Sequence, residues 1–198
     1  MGWFTKSIPL EKQLAALAEA GLRVNAGVTH EDLSAFGSKG EIEKHPYEAL
    51  FDALGIELER EPFTPICDRL WMCDLERVEG QGAYRDALLR LERMTGGAAR
   101  LSKITDFVEV GTRTAWAEFQ IDGREERWDF EVEDDWLDPA VFKRYDGLLE
   151  GTRNETRLYI NTLDYGQSVM VGAFTPEEKS ALERLRKTNM KRLADVKF

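Results

Sequence analysis

The sequence has few of the residues on which most catalytic and metal sites depend. It contains two cysteines and two histidines among 198 residues. Two cysteines are too few for a disulfide scaffold, and the six-residue step from Cys67 to Cys73 is not the spacing of zinc ligands. We therefore expect reduced, buried thiols and surface histidines, with no metal and no other cofactor.

Long apolar runs are missing as well. No stretch approaches the roughly 20 residues of a transmembrane helix, so we expect no membrane insertion. The first segment, MGWFTKSIPLEK, lacks the apolar centre of a signal peptide. It also departs from the myristoylation pattern at Lys6. These absences predict a cytoplasmic protein of bacterial type.

Positive charge is scarce. The chain has 27 Lys and Arg against 37 Asp and Glu, a net charge of −10. This balance argues against nucleic-acid binding, because a phosphate backbone would be repelled, and it suits a basic protein partner. Residues 1–138 hold 16 basic and 29 acidic side chains, whereas residues 139–198 hold 11 and 8. An anionic face should therefore come from the first part.

The first third of the chain has the pattern of short helices. Apolar stripes between a proline or capping residue and a glycine predict helices within residues 9–21, 29–37 and 46–55. We expect residues 1–60 to form a helical N-terminal region. This region would pack on an α+β domain of residues 61–198, so that the two make one compact unit.

The middle of the chain contains the strongest local signal. Asp122-Gly123 lies between TAWAEFQI and REERWDFEV and predicts a two-residue hairpin turn. Such a turn fixes the register, so Ile121 should pair with Arg124 and each step outward adds one pair. One face of the hairpin is then apolar: Ala115, Ala117, Phe119, Ile121, Trp128, Phe130 and Val132.

Other patterns complete the predicted fold. Strands are expected at ITDFVEV, TRLYINTL and SVMVGAF, and helices at AYRDALLRLERM and DPAVFKRYDGLLEG. RLWMCDLERV is ambiguous between strand and helix. A capping box at Thr175 opens a last helix with a basic end at residues 184–192. The predicted class is α+β, with N-terminal helices followed by an antiparallel sheet of about four to six strands and helices packed on one face.

Acidic residues are densest in WDFEVEDDWLD, residues 128–138. Asp138 should cap the following helix, with Pro139 at its first position. Asp134 and Asp135 have the carboxylates that a divalent cation or a general acid and base would require. However, D-D-x-x-D matches no calcium loop, and glycosidases place their two carboxylates across a cleft. Partner recognition is the alternative that the pattern favours.

The tryptophan of this stretch has two interpretations. Trp136 either packs beneath the following helix, which is the first expectation, or is exposed. If exposed, an aromatic ring among acids suits the centre of an interface with a basic protein. The predicted partner-binding residues are Asp134, Asp135, Trp136, Glu131 and Glu133.

Nucleophilic catalysis has little support in the sequence. Cys73 and His45 are a conceivable pair, but no spacing indicates that they meet. The chain has no G-x-S-x-G elbow, and its glycine pairs lack the context of a phosphate-binding loop. We predict no catalytic residues.

Four stretches within residues 60–185 carry a resemblance: DRLWMCDLERVEGQGAY, ITDFVEV, WDFEVEDDWLDPAVF and YGQSVMVGAFTPEE. Their Trp-rich hairpin, D-D-W-x-D element and Gly166-Gln167 turn resemble a loosely defined set of uncharacterised bacterial cytosolic proteins of the toxin-immunity type. The resemblance implies an inhibitor that binds a cognate antibacterial toxin, a basic domain, at its active site. A small hydrolase or metal-binding enzyme using Asp134 and Asp135, and a structural or regulatory subunit, stay open. The oligomeric state stays open too.

Overall fold

The structure is a computed structural model that describes residues 7–60, 63–161 and 165–197. Its elements follow the order of the chain, and we number helices and strands separately. They are α1 Leu10–Glu19, a 3-10 helix Asp32–Phe36, α2 Lys39–Lys44, α3 Glu48–Leu54, β1 Glu57–Leu58, β2 Thr64–Pro65, β3 Leu70–Asp74, α4 Ala83–Met94, β4 Leu101–Glu109, β5 Thr114–Ile121, β6 Arg124–Phe130, α5 Ala140–Glu150, β7 Arg157–Asn161, β8 Ser168–Phe174, α6 Pro176–Arg186, β9 Met190–Arg192 and a 3-10 helix Leu193–Asp195. Lys6 and the end of the strand predicted at TRLYINTL lie outside the described residues.

The class is α+β with antiparallel sheets, as predicted. Within the described residues the strands divide into three sheets instead of one, with orders β1-β2, β3-β8-β7-β9 and β4-β5-β6. The ambiguous segment RLWMCDLERV contributes β3, which pairs with β8. Among the described residues, no helix is long and apolar enough to cross a membrane.

The four-stranded sheet separates two apolar cores. On β8, Val171 and Ala173 belong to the first core, whereas Met170 and Phe174 belong to the second. The first core lies between this sheet, the three-stranded sheet, α4 and α5, and the second includes the N-terminal helices and α6. Because both faces are buried, VMVGAF (residues 169–174) is apolar throughout and does not alternate with polar residues. Helices therefore cover both faces of this sheet but one face of the three-stranded sheet.

The predicted hairpin is confirmed. Ile121 pairs with Arg124 across Asp122-Gly123, and both turn residues have positive φ, as a tight hairpin turn requires. The seven apolar side chains on its inner face are all buried. On the outer face Arg127 contacts Glu118 at 2.6 Å.

Two helix boundaries differ from the sequence prediction. The third helix begins at Glu48, because Tyr47 adopts a φ of +69° and donates its backbone N–H to Gln13 Oε1 at 2.8 Å. The last helix ends at Arg186, since Lys187 is left-handed. Arg184 and Arg186 lie in the last turn of the helix as predicted, whereas the end of the predicted basic segment, Met190–Arg192, forms β9 beside β7. A lysine in the left-handed region gives no sequence signal for a helix end, unlike glycine.

Candidate partner-binding site

The acidic stretch leaves β6 and turns sharply before α5. Val132 is still buried, and Trp136 donates its backbone N–H to the Glu133 carbonyl at 3.1 Å, which closes a four-residue turn. Asp134 takes a φ of +53° in this turn. Aspartate tolerates the left-handed region better than most residues, so the sequence DD suits the bend. The turn presents its side chains outward, at the rim of the sheet.

Backbone hydrogen bonds fix the turn against the segment that follows β3. Leu137 donates to the Leu75 carbonyl at 2.7 Å, and Val78 donates to the Asp135 carbonyl at 2.8 Å. An isolated bridge pairs Glu76 with Trp136 between these bonds. The corner is therefore preorganised, since its backbone is held from both sides.

The residue that packs beneath the helix is Leu137, which is fully buried. Trp136 is 38% exposed, so the first expectation for its side chain is wrong and the alternative holds. The reason is the pairing with residues 75–78. This pairing turns alternate side chains to opposite sides, and it directs Leu137 inward.

The Asp138 side chain connects the end of β6 with the start of α5. Its Oδ1 accepts from the Ala140 N–H at 2.8 Å, and its Oδ2 accepts from the Glu131 N–H at 2.9 Å. The Asp138 N–H in turn donates to the Tyr84 hydroxyl at 3.2 Å. Asp138 thus accepts a hydrogen bond at the start of the helix, but the N-cap position is Pro139 and regular helix begins at Ala140, one residue later than predicted. Both oxygens of this carboxylate already accept a backbone hydrogen bond.

The predicted binding residues are exposed. Glu133, Asp134 and Asp135 point to solvent beside Trp136, whereas Glu131 lines a groove along α5 that also contains Lys143. None of these four carboxylates lies within 4.0 Å of a Lys or Arg nitrogen in the described ranges. Within these ranges, no close cation therefore neutralises their charge.

One member of the surface was missed from the sequence. Glu76 is exposed and bridges Trp136 across the turn, although the two residues are far apart in the chain. Nothing in the sequence signals this contact, because it depends on long-range strand pairing. We name the surface formed by Glu76, Glu133, Asp134, Asp135 and Trp136 the acidic corner.

Cys73 and His45 do not meet to form a catalytic pair. Burial raises the pKa of Cys73 to about 12, so its reactive thiolate is suppressed. Cys73 faces the first core, whereas His45 is exposed and follows α2, whose Ile42 packs in the second core. The four-stranded sheet therefore lies between the two. In the described residues no group of three or more His, Cys, Asp or Glu side chains is arranged to hold a metal ion.

A polar cluster near the end of β7 is partly buried. The Tyr165 hydroxyl donates to Asp52 Oδ1 at 2.8 Å and accepts from Asn161 Nδ2 at 2.7 Å. Arg186 lies 3.6 Å above the Phe51 ring. Burial raises the pKa of Tyr165 to about 12, so its hydroxyl stays protonated and donates. This cluster joins α3, β7 and α6 and has the character of a structural network.

Comparisons with known proteins found no match among family models, curated proteins or solved structures.

Proposed function

We propose that this chain is a cytoplasmic inhibitor of immunity type that binds a basic toxin domain and blocks its active site. The observation that carries the proposal is the exposed Trp136 on a rigid turn, surrounded by carboxylates that form no ion pair with the residues the structure describes. Large aromatic side chains dominate the energy of many interfaces. Carboxylates around such a side chain steer a basic partner and set its orientation.

The rigidity of the acidic corner favours binding. Ordering a loop during association reduces affinity, because entropy is lost. Here the backbone bonds of Leu137 and Val78 have already ordered the turn. Unpaired carboxylates also lose no internal partner when they meet a basic surface, so complementary charge contributes to association without first breaking an ion pair.

The acidic corner is the centre of the proposed interface and not its whole extent. A stable protein–protein interface engages roughly 20–30 residues on each side. The partner must therefore also contact neighbouring surface, which includes the end of β6 and the groove along α5 that Glu131 lines.

Two experiments test the proposal. A pull-down from native extract with mass spectrometry should recover one basic, toxin-like protein. Recovery of no protein partner, together with a bound metal or metabolite, would instead support the alternative of a small enzyme at Asp134 and Asp135.

The binding kinetics of the recovered partner give the second test. Asp134→Lys with Asp135→Lys should slow association by roughly tenfold to a hundredfold, because electrostatic steering is reversed. Glu31→Lys with Glu155→Lys is the matched control, because both residues are exposed and the net charge changes equally. Equal effects of the two double variants would remove the acidic corner from the binding surface.

A further inference from the structure

The three-stranded sheet has two edges, and side chains occupy one of them. On β4, the Gln81 amide donates to the Val108 carbonyl at 2.8 Å and accepts from the Val108 N–H at 3.2 Å. The Leu101 N–H on the same edge donates to Glu92 Oε2 at 3.2 Å. Gln81 thus takes the place of a neighbouring strand, and β4 is protected against further pairing.

The opposite edge, on β6, is open. The two-residue turn makes Ile121 and Arg124 a hydrogen-bonded pair, and hydrogen-bonded pairs then recur at every second residue. The intervening residues Glu125, Arg127 and Asp129 therefore direct their backbone N–H and C=O away from β5. In the described chain, no hydrogen bond reaches these backbone groups.

The open edge has a defined end. By the same alternation, the Glu131 N–H also points outward, but it donates to Asp138 Oδ2 at 2.9 Å. The free edge thus covers Glu125, Arg127 and Asp129 and stops where the loop leading to the acidic corner begins.

Charge argues against a second copy of this chain as the occupant of the edge. Glu125, Arg127 and Asp129 share the outer face of the sheet in the order negative, positive, negative. In antiparallel pairing of two β6 strands about Arg127, the two arginines would face each other and Glu125 would face Asp129. A register shifted by two residues would give an opposite charge to only two of these three side chains. Like charges directly opposite each other are destabilising. A strand with basic, acidic and basic side chains at alternate positions would meet an opposite charge at each pair.

We propose that the β6 edge receives an extended segment of the protein partner as an antiparallel fourth strand, with basic, acidic and basic side chains at alternate positions. This inference rests on the proposed function, because the segment belongs to the partner that covers the acidic corner. Main-chain hydrogen bonds of Glu125, Arg127 and Asp129 would supply affinity, and the charge order would supply specificity.

A synthetic peptide tests the edge directly. The probe is the capped heptapeptide Thr-Lys-Val-Glu-Val-Lys-Thr, titrated into the full ¹⁵N-labelled chain to millimolar concentration. Amide shifts should be largest at Glu125, Arg127 and Asp129. An N-methyl group on the peptide's central Glu should weaken binding about tenfold, because one inter-strand hydrogen bond is lost and its acceptor is left unpaired.

Two controls distinguish strand addition from charge attraction. An N-methyl group on the first Val, whose N–H points away from β6, should change the affinity by less than about twofold, since no inter-strand bond is removed. Arg127→Glu should reverse the preference of the protein from the peptide with central Glu to one with central Lys.

Several results would overturn the inference: no binding at millimolar peptide, equal loss with both N-methylated peptides, or largest shifts outside β6. Shifts at β6 that grow with protein concentration alone would assign the edge to a second copy and would equally overturn it. Failure here is distinct from failure of the proposed function. The peptide should bind the Asp134→Lys and Asp135→Lys variant as it binds the original chain, because the peptide ends before the acidic corner.

Discussion

Trp136 and Leu137 are neighbours that the structure assigns to opposite roles, and their alanine variants should separate stability from binding. Leu137 is fully buried, and a buried Leu→Ala change costs about 2–5 kcal/mol through lost transfer energy and the cavity that remains. A domain of this size loses roughly 2–4 °C of Tm per kcal/mol. Leu137→Ala should therefore lower Tm by roughly 4–20 °C.

Trp136→Ala should have the opposite effect: little loss of stability and a large loss of affinity for the partner. With 38% of Trp136 exposed and no cavity to leave in the core, the loss of stability should be about 1 kcal/mol or less. Affinity for the recovered partner should instead fall by about 2 kcal/mol or more, which is the size expected for an aromatic side chain at the centre of an interface.

Thermal and urea denaturation measure the stability of both variants, and isothermal titration calorimetry measures their affinity for the recovered partner. Each variant is the control for the other, because they change adjacent residues of one turn. If Trp136→Ala destabilised the chain as much as Leu137→Ala, the inward and outward assignments in the turn would be refuted. If it left the affinity unchanged, Trp136 would have no place in the interface.

Two further predictions concern the core and the pH dependence of stability. Gly172→Ala should lower the free energy of unfolding by several kcal/mol, because a Cβ at this position would overlap the Phe174 ring. Urea denaturation measures this change. A change within about 0.5 kcal/mol, the range of surface substitutions, would contradict the packing. Burial raises the pKa of Glu178, but hydrogen bonds from Arg69 and Thr175 outweigh it and hold the pKa below the ordinary 4.5. The stability from Glu178 is therefore complete above pH 4.5 and is lost as the pH falls through the lower folded pKa. Glu178→Gln should cost about 1 kcal/mol near pH 7 and progressively less toward pH 3, so parallel curves of Tm against pH for the two proteins would refute the assignment.

Local chemistry determined which features the sequence could predict. Asp122-Gly123 fixes the hairpin by itself, because a two-residue turn leaves one register. The structure accordingly reproduces the predicted pairs and the buried inner face. The capping box at Thr175 is equally local and is present, with Glu178 as its second member. Both features need only residues a few positions apart.

The acidic corner could be predicted only in part. The sequence placed the carboxylates at a bend after a strand, but the direction of Trp136 depends on hydrogen bonds to residues 75–78. Glu76 was missed for the same reason. Pairing between segments about sixty residues apart leaves no periodic trace in either segment. The division into three sheets and the pairing of Met190–Arg192 with β7 likewise depend on contacts that local patterns do not contain.

The sheet shared by the two cores also sets the order in which the chain can fold. β3, at Leu70–Asp74, forms its ladder with β8, at Ser168–Phe174. During synthesis, neither core can therefore close until the chain has been made as far as β8. Until then, the apolar faces of the N-terminal helices have no complete sheet to pack against. Such long-range pairing makes folding slow and leaves apolar surface exposed to aggregation, so this protein should depend on chaperones more than its size alone would suggest.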